Sequence, residues 1–109
     1  MRDGYIADKP VGWWSVYETL DLRGGKAEYL VDECEDMIEI HYEDGMCIDI
    51  GKYAADSPAD SVYCITVVPS DDINGWQNII ETVEVNHKKD LYDKIQETIY
   101  KYQTLGSAL

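Results

Sequence analysis

Glu39, His41 and Glu43 occupy alternate positions in one short stretch of the chain, and Cys47 and Asp49 do the same in the next. On an extended backbone, alternate side chains lie on one face roughly 6.6 to 7 Å apart. If both stretches are strands, Glu39, His41, Glu43 and Asp49 form a ladder of negative charge with a thiol beside it. A row of carboxylates at that spacing can imitate a phosphate backbone and occupy the cleft of a nucleic-acid-binding protein. More commonly such a row is a solvated face that keeps a domain soluble and blunts a sheet edge, and the local concentration of charge narrows that difference. His41 opposite Cys47, next to Glu39 and Asp49, is a pair that can share a transition metal. Two strands supply at most a partial site, His87 is the only other histidine, and structural zinc usually takes four ligands. An exposed pair without a metal is therefore expected.

Ser70 to Glu81 resembles an EF-hand calcium loop over its twelve residues, with oxygen-bearing side chains at loop positions 1, 3, 5, 9 and 12 and Gly75 at position 6. It departs from that pattern at Ser70, where an acid is expected, and at Gln77, where an apolar residue is usual. A strand ending at Pro69 also takes the place of the entering helix, so a polar turn is the expectation. Nucleophilic catalysis has less support. GxSxG, HExxH, P-loop and GxGxxG patterns are all missing, and a Cys-His dyad requires a geometry that sequence does not specify. The three cysteines, Cys34, Cys47 and Cys64, are widely spaced with no CxxC. Free, mostly buried thiols follow, with no metal and no cofactor.

Charge is the strongest functional clue. Twenty-two acids against nine bases give a net charge of -13 over 109 residues, which disfavours direct contact with nucleic acid or an anionic membrane and favours a basic protein partner. Eleven of the acids fall between Glu28 and Asp60, where Lys52 is the only lysine or arginine, while the segment from His87 onward is nearly neutral. No apolar run approaches the roughly 20 residues of a membrane span. The N-terminal residues Met1 to Tyr5 lack the apolar core of a signal peptide, so a cytoplasmic protein is expected.

The elements that must position these residues begin with a hairpin, Met37 to Tyr42 and Met46 to Tyr53. A two-residue Asp-Gly turn would set Ile38 and Ile40 against the face opposite Ile48 and Ile50. A three-residue loop, Glu43-Asp44-Gly45, with Gly45 in the left-handed region pairs Tyr42 with Met46, Ile40 with Ile48 and Ile38 with Ile50. It gathers the isoleucines on one face and puts Glu39, His41, Cys47 and Asp49 on the other. Ser61 to Val68 is β-branched and stopped by Pro69, as a central strand would be. Ile79 to Val85 is expected as another strand, with a helix through Trp76, Ile79, Ile80 and Val83 as its competitor.

Asp90 to Gln103 reads as a helix with a Leu91, Ile95, Ile99 and Tyr102 stripe, Asp90 as its cap and Asp93 as a capping-box acid. Residues 13–35 fit strand and helix alike, and strands are preferred because of Gly24-Gly25. Ala54 to Ser61 reads as a surface loop. Tyr5, Trp13, Trp14 and Tyr17 form an aromatic cluster suited to a core or an interface, in a chain with nine tyrosines, three tryptophans and no phenylalanine.

These readings combine into one acidic α+β domain spanning 1–109: an antiparallel sheet of four to six strands, mostly a meander, with the C-terminal helix packed on one face. In size, acidity and aromatic content it is similar to the small acidic immunity proteins and anti-defence inhibitors of bacteria, a likeness of character that carries no motif. The expected function is non-enzymatic: an acidic inhibitor that neutralises a basic nuclease toxin or nucleic-acid-handling enzyme through Glu39, His41, Glu43, Asp44 and Asp49. A structural or regulatory homodimeric module is the alternative, and a small metal-dependent enzyme is third.

Overall fold

The computed structural model describes residues 12–32, 35–53 and 62–103. Five strands, β1 (Lys26–Tyr29), β2 (Ile38–His41), β3 (Cys47–Tyr53), β4 (Val62–Val68) and β5 (Glu81–Val85), form one antiparallel sheet in sequence order. A one-turn helix, α1 (Ile73–Trp76), lies between β4 and β5, and α2 (Leu91–Tyr102) follows the sheet. The expected meander with a C-terminal helix is thus the observed architecture. The expected loop at Ala54 to Ser61, Cys34, Tyr5 and the last six residues lie outside the described residues.

The β2–β3 turn is the three-residue one. Gly45 has a φ of 98°, and Tyr42 and Met46 close the loop through a 3.0 Å backbone bond. Ile40 then pairs with Ile48 and Ile38 with Ile50, while Glu39 faces Asp49 and His41 faces Cys47. Ile38, Ile40, Ile48, Ile50, Ile65 and Val67 are all 0% exposed. They form one core with Leu91, Ile95 and Ile99 of α2, the stripe read from sequence. Each such side chain contributes about 1.5–3 kcal/mol on burial, enough to hold α2 against this face.

Several boundaries differ from expectation. Trp14 to Leu22 does not form a strand. The Trp14 carbonyl accepts the amides of Tyr17 and Glu18 at 2.9 and 3.1 Å, and a short 3-10 turn, Tyr17–Thr19, follows. Tyr17 and Leu20 reach the core this way, with Trp13 packed against them. The Trp13 ring meets Tyr17 and Tyr29 edge-on. Among its described members the aromatic cluster is therefore mainly part of the core.

The second half of that region, β1, is the expected strand. At the other end of the chain, β5 begins two residues later than expected, and Ile79 and Ile80 before it are exposed. Asp90 does not cap α2. It ends a 3-10 turn, Lys88–Asp90, in a helical conformation with no side-chain cap bond, because that turn already supplies the lead-in. Tyrosine hydroxyls find partners, as a core without phenylalanine requires: Tyr42 donates to the Leu22 carbonyl at 2.7 Å and Tyr29 to that of Tyr17 at 3.3 Å.

The strands β3 and β4 are buried on both faces, which alternation in the sequence does not disclose. Part of the cover on the helix-free face is the β1–β2 connection. A Cβ on Gly51 would lie 1.8 Å from the Glu35 carbonyl oxygen, so the chain at Glu35 rests directly on the strand where a side chain would otherwise stand. Gly51→Ala should lower stability by about 1–3 kcal/mol through overpacking. Urea unfolding measures it, and an unchanged midpoint would mean that the connection does not rest on the sheet.

Candidate functional site

The β2–β3 register, extended through its neighbours, makes a row across the helix-free face: Glu28 beside Glu39, Glu39 beside Asp49, Asp49 beside Thr66 and Thr66 beside Thr82. The first three members are acids on adjacent strands, and like charges directly opposite one another are destabilising. A parallel row holds Lys26, His41, Cys47 and Val68.

His41 stands among three carboxylates. Its Nε2 is 3.3 Å from Glu39 and 3.7 Å from Glu28, and its Nδ1 is 3.6 Å from Asp71 of the β4–β5 connection. Asp36 adds a further acid from the β1–β2 connection. One ligand oxygen each of Asp36, Glu39 and Asp49 lie within 4.8 Å of one another, as do ligand atoms of His41, Cys47 and Asp71.

Asp49 is the unusual member. It is 3% exposed, and no hydrogen-bond donor among the described residues reaches its carboxylate. Burial first, then the Glu39, Asp36 and Asp71 charges, push it up to about 7, with His41 pulling the other way. The outer face is thus not the uniformly solvated ladder expected: Glu39 and Asp49 are neighbours as expected, but Asp49 lies beneath the surface. The reason is the connection over Gly51, which has no periodic signal in sequence.

Of the five residues expected to share a partner-binding face, Glu39, His41 and Asp49 come together. Glu43 and Asp44 do not join them. They sit exposed at the hairpin tip, where Asp44 accepts the Met46 amide at 2.9 Å and both line a shallow depression with Arg23, Tyr42 and Gln103. Glu28 and Asp36, which lie in the acidic segment but not among the five, and Asp71, which lies outside it, stand beside them in space. Glu28 would have followed from the β1–β2 register, whereas Asp36 and Asp71 come from connections whose path no pattern encodes.

The Cys-His pair does face across the hairpin, but Cys47 is 1% exposed. Burial, Asp71, Asp49 and Glu39 push its thiol up to about 12. Such a thiol is protonated at neutral pH and a poor nucleophile. Cys64 is also free and buried, and its thiol is raised mainly by burial.

The Ser70 to Glu81 segment is a polar turn. Asp72 caps α1 by accepting the Gly75 amide and the Ser70 hydroxyl, both at 2.8 Å, and these bonds hold its carboxyl below the usual range. Glu81, at the last loop position, instead accepts from Lys101 and Tyr102 of α2. Of the five side chains a calcium loop would use, Ser70, Asp72 and Glu81 are thus engaged with protein partners.

Among the described residues no helix is long and apolar enough to cross a membrane. Compared with protein-family models, curated proteins and solved structures, the chain matches none.

Asp49 makes the fold pH-dependent. Unfolded, it ionises near 3.8; folded, near 7. Below both values the two states hold the proton equally. Above the lower one the unfolded state releases it first, so this group's contribution to stability falls as pH rises from about 4 to about 7. Asp49→Asn should leave stability nearly unchanged at about pH 4 and raise it by a few kcal/mol at about pH 8, on the order of 1.4 kcal/mol per unit of displacement. Urea midpoints in chelator-containing buffer check this, and equal midpoints at the higher pH would mean that Asp49 is solvated.

Proposed function

We propose that the protein is a non-enzymatic acidic binding module that engages a basic protein partner through the helix-free face of its sheet. The observation carrying this reading is the segregation of the two faces. The core and α2 occupy one, while the other presents Glu28, Asp36, Glu39, Asp71 and Glu84 around the buried Asp49. Lys26 is the only lysine or arginine among the strand residues on that side. Glu28 and Asp71 have half or nearly half of their side chains exposed or more, and Asp36 and Glu84 are exposed. These side chains, rather than Asp49, are the ones a partner can touch.

A concentrated patch of one sign accelerates encounter with an oppositely charged partner and makes binding fall with salt. A basic nuclease toxin or nucleic-acid-handling enzyme in the cytoplasm fits that chemistry, with the acid row standing where phosphates would. The reversal of Glu28, Asp71 and Glu84 to lysine should leave the fold intact, because all three side chains lie at the surface. It should weaken partner binding about tenfold or more. Pulldown from native lysate at low and high salt, with wild type and the triple variant side by side, checks this. A partner retained equally by both proteins would overturn the reading.

A second reading rests on a different observation. Ile73, Trp76, Ile79 and Ile80 are 74%, 37%, 48% and 46% exposed in the connection leading to β5, the last strand of the sheet. Such apolar exposure suits a homodimeric interaction module in which acidity serves solubility. Size exclusion separates the two readings: an apolar dimer elutes early at both low and high salt and is lost on Trp76→Asp, whereas a monomer at both leaves the charge-driven module standing.

A further inference from the structure

We propose that Asp36, Glu39 and Asp49 form a binding site for one hard divalent cation, of the calcium or manganese kind, where the β1–β2 connection meets the outer face of the sheet. The three contribute oxygen ligands within 4.8 Å of one another. Ligands on opposite sides of a calcium ion, each at about 2.3–2.6 Å from it, stand up to about 5 Å apart, so the spread of the cluster lies within that of a coordination shell.

Acidic side chains gather on many surfaces without a metal, and proximity alone would not carry this assignment. Asp49 does. At 3% exposure it has given up its hydration, yet among the described residues it receives no hydrogen bond and no ion pair, and its carboxylate points at two others. A buried carboxylate is ordinarily neutralised by a proton or satisfied by amides, a base or a metal. His41 does not supply the base, because its two nitrogens lie against Glu28, Glu39 and Asp71. A proton on Asp49 would neutralise one carboxylate and leave Asp36 and Glu39 against it, whereas a divalent ion compensates all three acids that converge from β2, β3 and the connection.

Ligand chemistry selects the class. Carboxylate oxygens alone favour calcium, manganese or magnesium over softer metals. Calcium and manganese tolerate an irregular set better than magnesium, which demands near-ideal octahedral geometry. The neighbouring His41, Cys47 and Asp71 group would suit a softer ion but depends on a buried, protonated thiol. Asp36 is exposed and Glu39 half-buried, which leaves an open side for entry and for water ligands. A bound ion would tie the connection that covers Gly51 to the two strands beneath it. This role does not depend on any protein partner.

The test is calorimetric titration of chelator-treated, intact protein with calcium, manganese and magnesium chlorides, each at ionic strength matched with sodium chloride. Calcium or manganese should saturate at one ion per chain. Asp49→Asn and Glu39→Gln, verified as folded by circular dichroism, should each weaken binding about tenfold or more, whereas Glu84→Gln on β5 should not. Manganese should broaden the amide resonances of Asp36, Glu39 and Asp49 ahead of others. No saturable heat with any of the three ions overturns the proposal. So does equal affinity in wild type and both ligand variants, the mark of diffuse counter-ion attraction. Calcium or manganese binding lost in Cys47→Ser but kept in Asp49→Asn overturns it as well, by moving the site to the neighbouring group. Because partner binding is tested at Glu28, Asp71 and Glu84, either conclusion can fail without the other.

Discussion

The register of the β2–β3 hairpin is the constraint on which the rest depends. A three-residue loop that needs a positive φ at Gly45 sets which residues oppose one another. Because strand side chains alternate with a period of two, a slip of one position would exchange every inward residue for an outward one. With the observed register, four isoleucines meet α2, and Glu39, His41, Cys47 and Asp49 are delivered together to the other side. Core and candidate site are thus two outcomes of one turn.

The same register imposes an electrostatic cost. It lines up Glu28, Glu39 and Asp49 on adjacent strands, and the connection through Glu35 and Asp36 then adds another acid and removes water from Asp49. A sequence optimised for stability alone would place a threonine or an apolar residue at 49, as the same row does at Thr66 and Thr82. Unfavourable burial of an ionisable group outside the hydrophobic core is characteristic of sites kept for binding. Here the neighbourhood is so uniformly acidic that a cation, whether an ion or a basic protein surface, is its natural complement. On the readings proposed above, the depth of Asp49 would divide those roles, with a small ion at Asp49 and a partner's lysine side chain at Glu28 or Asp71.

Ambiguity in the sequence was greatest where two periodicities coincide. Trp13, Val16, Tyr17 and Leu20 fit a helical stripe and Trp14, Val16, Leu20 and Leu22 a strand, and the outcome was neither in full. Successive turns bury Tyr17 and Leu20 while leaving Val16 outside. Local propensity could not choose, because what fixes this segment is contact with Tyr29 and Tyr92 far along the chain. Asp90 shows the reverse case. A residue well suited to capping was left uncapping because a 3-10 turn brought the chain into α2 from the preceding three residues.

The β2–β3 hairpin with its register, the strand that stops at Pro69, the helix α2 and the meander of the sheet were legible in the sequence, because alternation, β-branching, a Gly-containing turn and a 3.6-residue stripe are local signals. So was the concentration of charge between Glu28 and Asp60, together with the placement of Glu39, His41, Cys47 and Asp49 on one face. Only the tertiary structure decided that Asp49 is buried, that Asp36 and Asp71 join it, and that Glu43 and Asp44 stand apart at the hairpin tip. Those facts depend on where two irregular connections cross the sheet. Their paths are governed by long-range packing against Gly51 and the strand ends, and no periodic pattern in the chain records such contacts.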